Sequence, residues 1–259
     1  MGTPKLSAPL SAVTQNYELN ALSGRASVPR LDRTSAAMRR YTYTYLRPDG
    51  ALCEKEQIAP ASPTFEAAFS AFAHGTLLST PEGPVAIQDL VPGMEVTSQD
   101  GDACRIRWIG SITIAPRQNP ADTAAPSGLF RVIPDAFGLG RPAGNLLMGP
   151  GARLLTRPHN LRESRSHGSM FTPCSDLVDG VNVIGVSPPM RVTVFHLILD
   201  RHAILLADGL ETESYHPGPG FDRMMDAQPR QTFLSLFPQM RTAEEIGDIA
   251  CARLPLRGV

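Results

Sequence analysis

From Arg40 onward apolar and polar positions alternate in a way that the first stretch of the chain does not. Tyr41, Tyr43 and Tyr45 alternate with Thr42 and Thr44, Arg47-Pro48-Asp49-Gly50 supplies turn chemistry, and a second run follows from Leu52 to Ile58. That pattern predicts a β-hairpin, whose tyrosine row reads either as a half-buried strand face or as a contact platform. Pro63 to Ala73 sets Phe65, Phe69 and Phe72 at spacings of four and three, which predicts a short amphipathic helix with an aromatic stripe. From Gly75 to about Pro217 short apolar runs are cut by Gly, Pro and Asp, among them Arg105 to Ile114, Arg153 to Thr156, Val192 to Leu199 and Ala203 to Ala207. Such spacing predicts a compact, mostly antiparallel β-domain. Arg157 to Asp179 reads as a polar surface loop, in which His159 and His167 are solvated.

Helix signals return after Pro217, with a capping box at Thr242-Ala243-Glu244-Glu245 ahead of Ile246 and Ile249. Residues 1–38, rich in Ser, Ala, Pro and Arg, read as a mobile arm with one short helix around Tyr17 to Leu22. The expected organisation is an arm (1–38), a hairpin with a short helix (39–69), a β-domain (70–217) and a helical tail (218–259).

Composition narrows the function classes. Over 259 residues, 42% hydrophobic and 19% charged, a net charge of -1 gives no electrostatic footprint for nucleic acid or an anionic membrane. The 24 prolines and 22 glycines suit many strands joined by turns. Cys53, Cys104, Cys174 and Cys251 form no CxxC pair, so they read as small, partly buried thiols, with neither a disulfide framework nor a zinc knuckle. Of the 24 basic residues only Lys5 and Lys55 are lysines, which favours planar, fixed hydrogen bonding. No run of about 18 apolar residues could span a bilayer, Met1 to Leu10 does not read as a signal peptide, and Leu6 breaks a myristoylation pattern after Gly2. The expectation is a cytoplasmic protein without a cofactor.

Two blocks carry a resemblance. The first contains Gly75-Thr76-Leu77-Leu78 with a Pro-Glu-Gly turn, then Ile87-Gln88-Asp89-Leu90-Val91-Pro92-Gly93-Met94-Glu95-Val96, then Arg107-Trp108-Ile109-Gly110. The second runs from Val194 to Ser214 and ends in an Ala-Asp-Gly turn. Together they resemble the Hedgehog/intein (Hint) domains of the bacterial type over about residues 70–217. The resemblance implies an all-β Hint-like fold, here with a hairpin before it and a short helical tail after it.

In members of that family that splice or cleave, a Cys or Ser opens the domain and attacks the carbonyl before it, while a His on a Thr/Ser-x-x-His stretch assists departure of the amide nitrogen. By that resemblance the nucleophile position is Ala71, the hydroxyl position is Gly149 and the histidine position is Ala152. Alanine offers neither a lone pair nor a proton. The expectation is a degenerate, non-processing domain that serves as a structural or protein-binding module for a partner of unknown identity.

The alternative is autocatalytic cleavage before residue 71 through Ser70 or water, with His202 and Asp200 as remnants. Ser70 sits one position off an extended face, and His74 has no fixed partner. His196, Asp200 and His202 share a face on a continuous strand, whereas a turn at Asp200-Arg201 brings His202 toward Asp200. The three allow structural retention, residual proton chemistry or a two-His-one-carboxylate metal site. Gly138-Leu139-Gly140 lacks the context of a dinucleotide loop and reads as a turn.

Overall fold

The structure, a computed structural model, describes residues 37–116, 128–157, 168–218, 220–221, 225–240, 243–254 and 256. The segment before residue 37, His159, His167 and Thr242 lie outside the described residues. Sixteen strands follow one another among those described. They are β1 (Met38–Leu46), β2 (Leu52–Pro60), β3 (Phe72–Ala73), β4 (Leu77–Thr80), β5 (Gly83–Ala86), β6 (Glu95–Thr97), β7 (Ala103–Ile114) and β8 (Leu129–Val132). Then come β9 (Leu146–Met148), β10 (Arg153–Thr156), β11 (Met170–Pro173), β12 (Val183–Val186), β13 (Val192–Leu199), β14 (Ile204–Ala207), β15 (Leu210–Glu213) and β16 (Ala252–Arg253). Helix α1 (Pro63–Ala67) precedes β3, and α2 (Ala227–Leu234) lies between β15 and β16.

The strands form two sheets, as the all-β reading requires. One runs β12-β8-β9-β3-β13-β7-β1-β2 with β6 paired to β7, and the other runs β16-β11-β10-β15-β14-β4-β5. The predicted hairpin is β1–β2, paired from Met38↔Pro60 to Leu46↔Leu52, with Asp49 Oδ1 accepting the Ala51 N–H at 3.0 Å in the turn. Period-2 alternation sends Tyr41, Tyr43 and Tyr45 to one face, and all three are buried. They are core residues, so the tyrosine row is not a contact platform.

Three expectations are corrected. The helix expected over 63–73 is α1 alone, because strand pairing draws Phe72 against Phe195 and Met148 in β3. The loop expected over 157–179 contains β11 and a 3-10 turn at Cys174–Leu177. The tail is not helical throughout: β16 closes the second sheet by pairing parallel to β11, with Met170↔Ala252 and Phe171↔Arg253. No helix among the described residues is long and apolar enough to cross a membrane.

Two apolar clusters follow from this arrangement. The first contains Leu78, Val96, Ile106, Leu154, Leu197 and Leu205 from both sheets, with Ile87 from the turn after β5. The second gathers the three tyrosines, Phe65 and Phe69 around Trp108, and Phe233 and Phe237 complete it from the tail. The Trp108 indole N–H donates to the Leu236 carbonyl at 2.9 Å, and its ring lies 5.0 Å from Phe69 and 4.9 Å from Phe237. Close packing makes Gly110 obligatory, since a Cβ there would stand 2.1 Å from the Trp108 ring and 2.5 Å from Phe69. Gly110→Ala is therefore expected to destabilise the fold by about 1–3 kcal/mol. A urea titration reads this as a lower midpoint with unchanged slope; an unmoved midpoint would contradict the packing described.

Candidate functional site

Ser70 and Ala71 join α1 to β3, and backbone hydrogen bonds bring them to the segment 149–152. The Ala71 N–H donates to the Phe195 carbonyl at 2.8 Å. In return the Gly149 N–H donates to the Ala71 carbonyl and the Gly151 N–H to the Ser70 carbonyl, both at 2.8 Å. Ala71, Gly149 and Ala152, the positions expected from the resemblance, thus lie on segments that are hydrogen-bonded to each other.

Backbone fills the space where one of those side chains would stand. A Cβ on Gly149 would lie 2.2 Å from the Ser70 carbonyl oxygen, and one on Gly151 would lie 2.6 Å from the Ala67 carbonyl oxygen. A hydroxyl-bearing residue at 149 therefore requires the backbone to move. Ala71 and Ala152 are buried in the first apolar cluster together with Met148 and Cys174. The Cys174 thiol is pushed up to about 12 by burial, which keeps it protonated and poorly nucleophilic. Ser70 is buried as well, and its hydroxyl is committed twice, donating to the Glu66 carbonyl at 2.7 Å and accepting the Gly151 N–H at 3.1 Å.

The histidine remnants separate. The chain turns at Asp200, which is exposed and accepts the Arg105 N–H on Oδ1 at 3.2 Å. His202 is buried and turns instead to Glu213, so the expected Asp200–His202 contact gives way to a different carboxylate. The three residues form no metal-binding group among the described residues. His196 packs edge-on to Phe72 and Tyr215, and burial pushes its pKa down to about 3. His74 is exposed.

Glu213 is the centre of a buried charge cluster that periodicity alone does not reveal. Its Oε2 lies 3.0 Å from Arg153 Nη1, and its Oε1 lies 3.2 Å from both Arg253 Nε and His202 Nε2. Burial opposes the charge of Glu213, yet the His202 contact and the two guanidiniums outweigh it and hold the pKa at about 2. His202 Nδ1 accepts the Ala250 N–H at 2.8 Å, so Nε2 carries the proton and points it between Glu213 and the Ser214 carbonyl. Both ring nitrogens are thereby occupied in structure. Nearby His216 accepts the Gly218 N–H on Nδ1 and donates to the Gly247 carbonyl, and burial pushes its pKa down to about 4. The one available hint was Glu211-Thr212-Glu213 inside an expected strand, which places acidic residues in a fold interior.

A family model described as Hint domain matches residues 70–219. Among solved structures, the chain is similar to the MchDnaB-1 intein, with 16% identity, a TM-score of 0.32, and coverage of 56% of this chain and 100% of that one. It is also similar to the Msm DnaB1 intein splicing domain, in a crystal structure bound with zinc, at 16% identity, a TM-score of 0.35 and the same coverage. No curated protein matches the chain.

The buried titrating groups fix the sign of the pH dependence. Below about pH 6.5 an unfolded chain protonates His196 and His216, whereas the fold keeps them neutral down to about 3 and 4. The Glu213 contribution is present above 4.5 and is lost as pH falls toward about 2. Stability measured by denaturant titration is expected to fall steadily from neutral pH through pH 4, with a shallower slope in His216→Asn. A flat profile over that window would contradict the neutral, buried state of these imidazoles.

Proposed function

The chain belongs to the Hint-domain family, and from the state of its centre we propose that it is a member that does not process itself and serves as a structural, protein-binding module. The observation that carries this reading is the contact of Gly149 with the Ser70 carbonyl: the space for the hydroxyl side chain is filled by main chain. Around it, Ala71 and Ala152 cannot attack or donate a proton, and the Ser70 hydroxyl is tied down.

One contact favours the alternative of autocatalytic cleavage. The Gly151 N–H donates to the carbonyl of the Ser70–Ala71 bond, and such a donor stabilises an oxyanion if a nucleophile arrives. A nucleophile would have to be water reaching a buried bond, and among the described residues His202 and His216 already use both ring nitrogens in structural hydrogen bonds. The donor without the attacking group is consistent with inherited backbone geometry from which the chemistry has been removed.

Intact-mass spectrometry of purified protein, before and after incubation with a thiol and with hydroxylamine, tests the proposal. The expected result is one unchanged species at 27.9 kDa. Fragments meeting at the Ser70–Ala71 bond would overturn it. Ala71→Cys with Ala152→His is expected to restore no cleavage, because both positions are packed inside an apolar cluster and main chain fills the space that a hydroxyl side chain at 149 needs; recovery of cleavage would mean that the centre is still shaped for acyl transfer.

A further inference from the structure

Beyond Thr42 the larger sheet comes apart. β1 pairs with β7 only from Thr42↔Ser111 to Tyr45↔Trp108, although β1 stays paired with β2 out to Met38↔Pro60 and β7 with β13 out to Ile114↔Val192. A slot of about 500 Å³ opens between the two diverging halves. One wall precedes residue 70 and so lies outside the family match, while the other is formed by β7 and the start of β13. The hairpin extension therefore creates a concavity that the matched domain lacks by itself.

Cross-strand pairing settles what faces the opening. Glu56 and Ser111 lie opposite Thr42, and Arg40 and Thr113 are two positions along their strands, so all five share one face. Arg39 leans across the gap: Nη1 donates to the Thr113 carbonyl at 3.0 Å and Nε meets Glu66 at 2.6 Å. Arg40 rests on the exposed Glu56 at 3.1 Å. Arg191, also exposed, brings a third guanidinium with no ion pair among the described residues.

We infer that this slot binds the phosphate group of a small phosphorylated polyol. Three guanidiniums reach it, two from successive residues of β1 and one from the residue before β13, and Glu56 is the one carboxylate that lines it. Guanidinium donates only, and a tetrahedral phosphate offers more acceptor oxygens than a carboxylate to donors arriving from several sides. The hydroxyls of Thr42, Ser111 and Thr113 both donate and accept, which suits the hydroxyls of the attached polyol. The volume falls within the roughly 300–1,000 Å³ of small-molecule sites. Glu56 holds Arg40 in place when the slot is empty and is displaced by the ligand. The site stands whether or not the Ser70–Ala71 bond is ever cleaved.

Isothermal titration at low salt with glycerol 3-phosphate, inorganic phosphate, succinate and glycerol tests the assignment. Glycerol 3-phosphate is expected to bind at a single site more tightly than inorganic phosphate or succinate, and glycerol not at all. Affinity should fall about tenfold or more in Arg40→Ala and in Arg191→Ala, and rise in Glu56→Gln, where the competing charge is gone. All three side chains are exposed, so a matching urea midpoint verifies that each variant stays folded. No saturable binding of glycerol 3-phosphate would overturn the proposal. So would tighter binding of succinate, equal binding of inorganic phosphate, or an affinity indifferent to Arg40 and Arg191.

Discussion

Burying the Trp108 indole requires an acceptor for its N–H, and the Leu236 carbonyl, 128 residues further along, supplies it. That requirement ties the middle of β7 to the segment after α2. The tyrosines of β1, together with Phe65 and Phe69, then close over the other side of the ring. Each such aromatic removes enough apolar surface to contribute on the order of 1.5–3 kcal/mol. Described residues on both sides of the family match, from Tyr41 to Phe69 and from Phe221 to Ile246, are thus part of the same packed interior as residues within it.

A second long-range tie is electrostatic. Placing Glu213, Arg153 and Arg253 together out of water is costly, and the arrangement is tolerable because each charge meets a partner of opposite sign. Arg253 also donates to the His216 carbonyl, and Ala250 donates to His202, so the last described strand is held by side chains as well as by its ladder with β11. The opposite edge of the molecule is treated differently. β2 is the outer strand of its sheet, and it carries Glu54, Lys55 and Glu56 in succession, with Lys55 turned over the Tyr45 ring at 5.7 Å. Charges on an open edge discourage another strand from adding to it.

Local pattern was enough for the elements whose cause is local. The Tyr/Thr alternation and the Arg-Pro-Asp-Gly turn specify the hairpin, and the short apolar runs specify most of the strands. The resemblance grouped Ala71, Gly149 and Ala152, and backbone hydrogen bonds bring the two chain segments that carry them together. What periodicity could not give was partnership across the chain. Phe72 fits a helical stripe by spacing, yet it pairs as a strand because Phe195 and Met148 claim its backbone. His202 was weighed against its neighbour Asp200, but the carboxylate it faces arrives on another strand, eleven positions later. The slot beside Arg39 arises from the divergence of paired strands, which leaves no mark on composition or period.

The continuity of the aromatic interior across residue 70 also bears on what a cut there would do. In a cleaving domain, whatever precedes the first residue is cargo and departs. Here the preceding residues include Tyr41, Tyr43, Tyr45, Phe65 and Phe69, all packed around Trp108. A cut before Ala71 would release nothing, because both pieces would remain associated through a shared hydrophobic interior, as a nicked chain does.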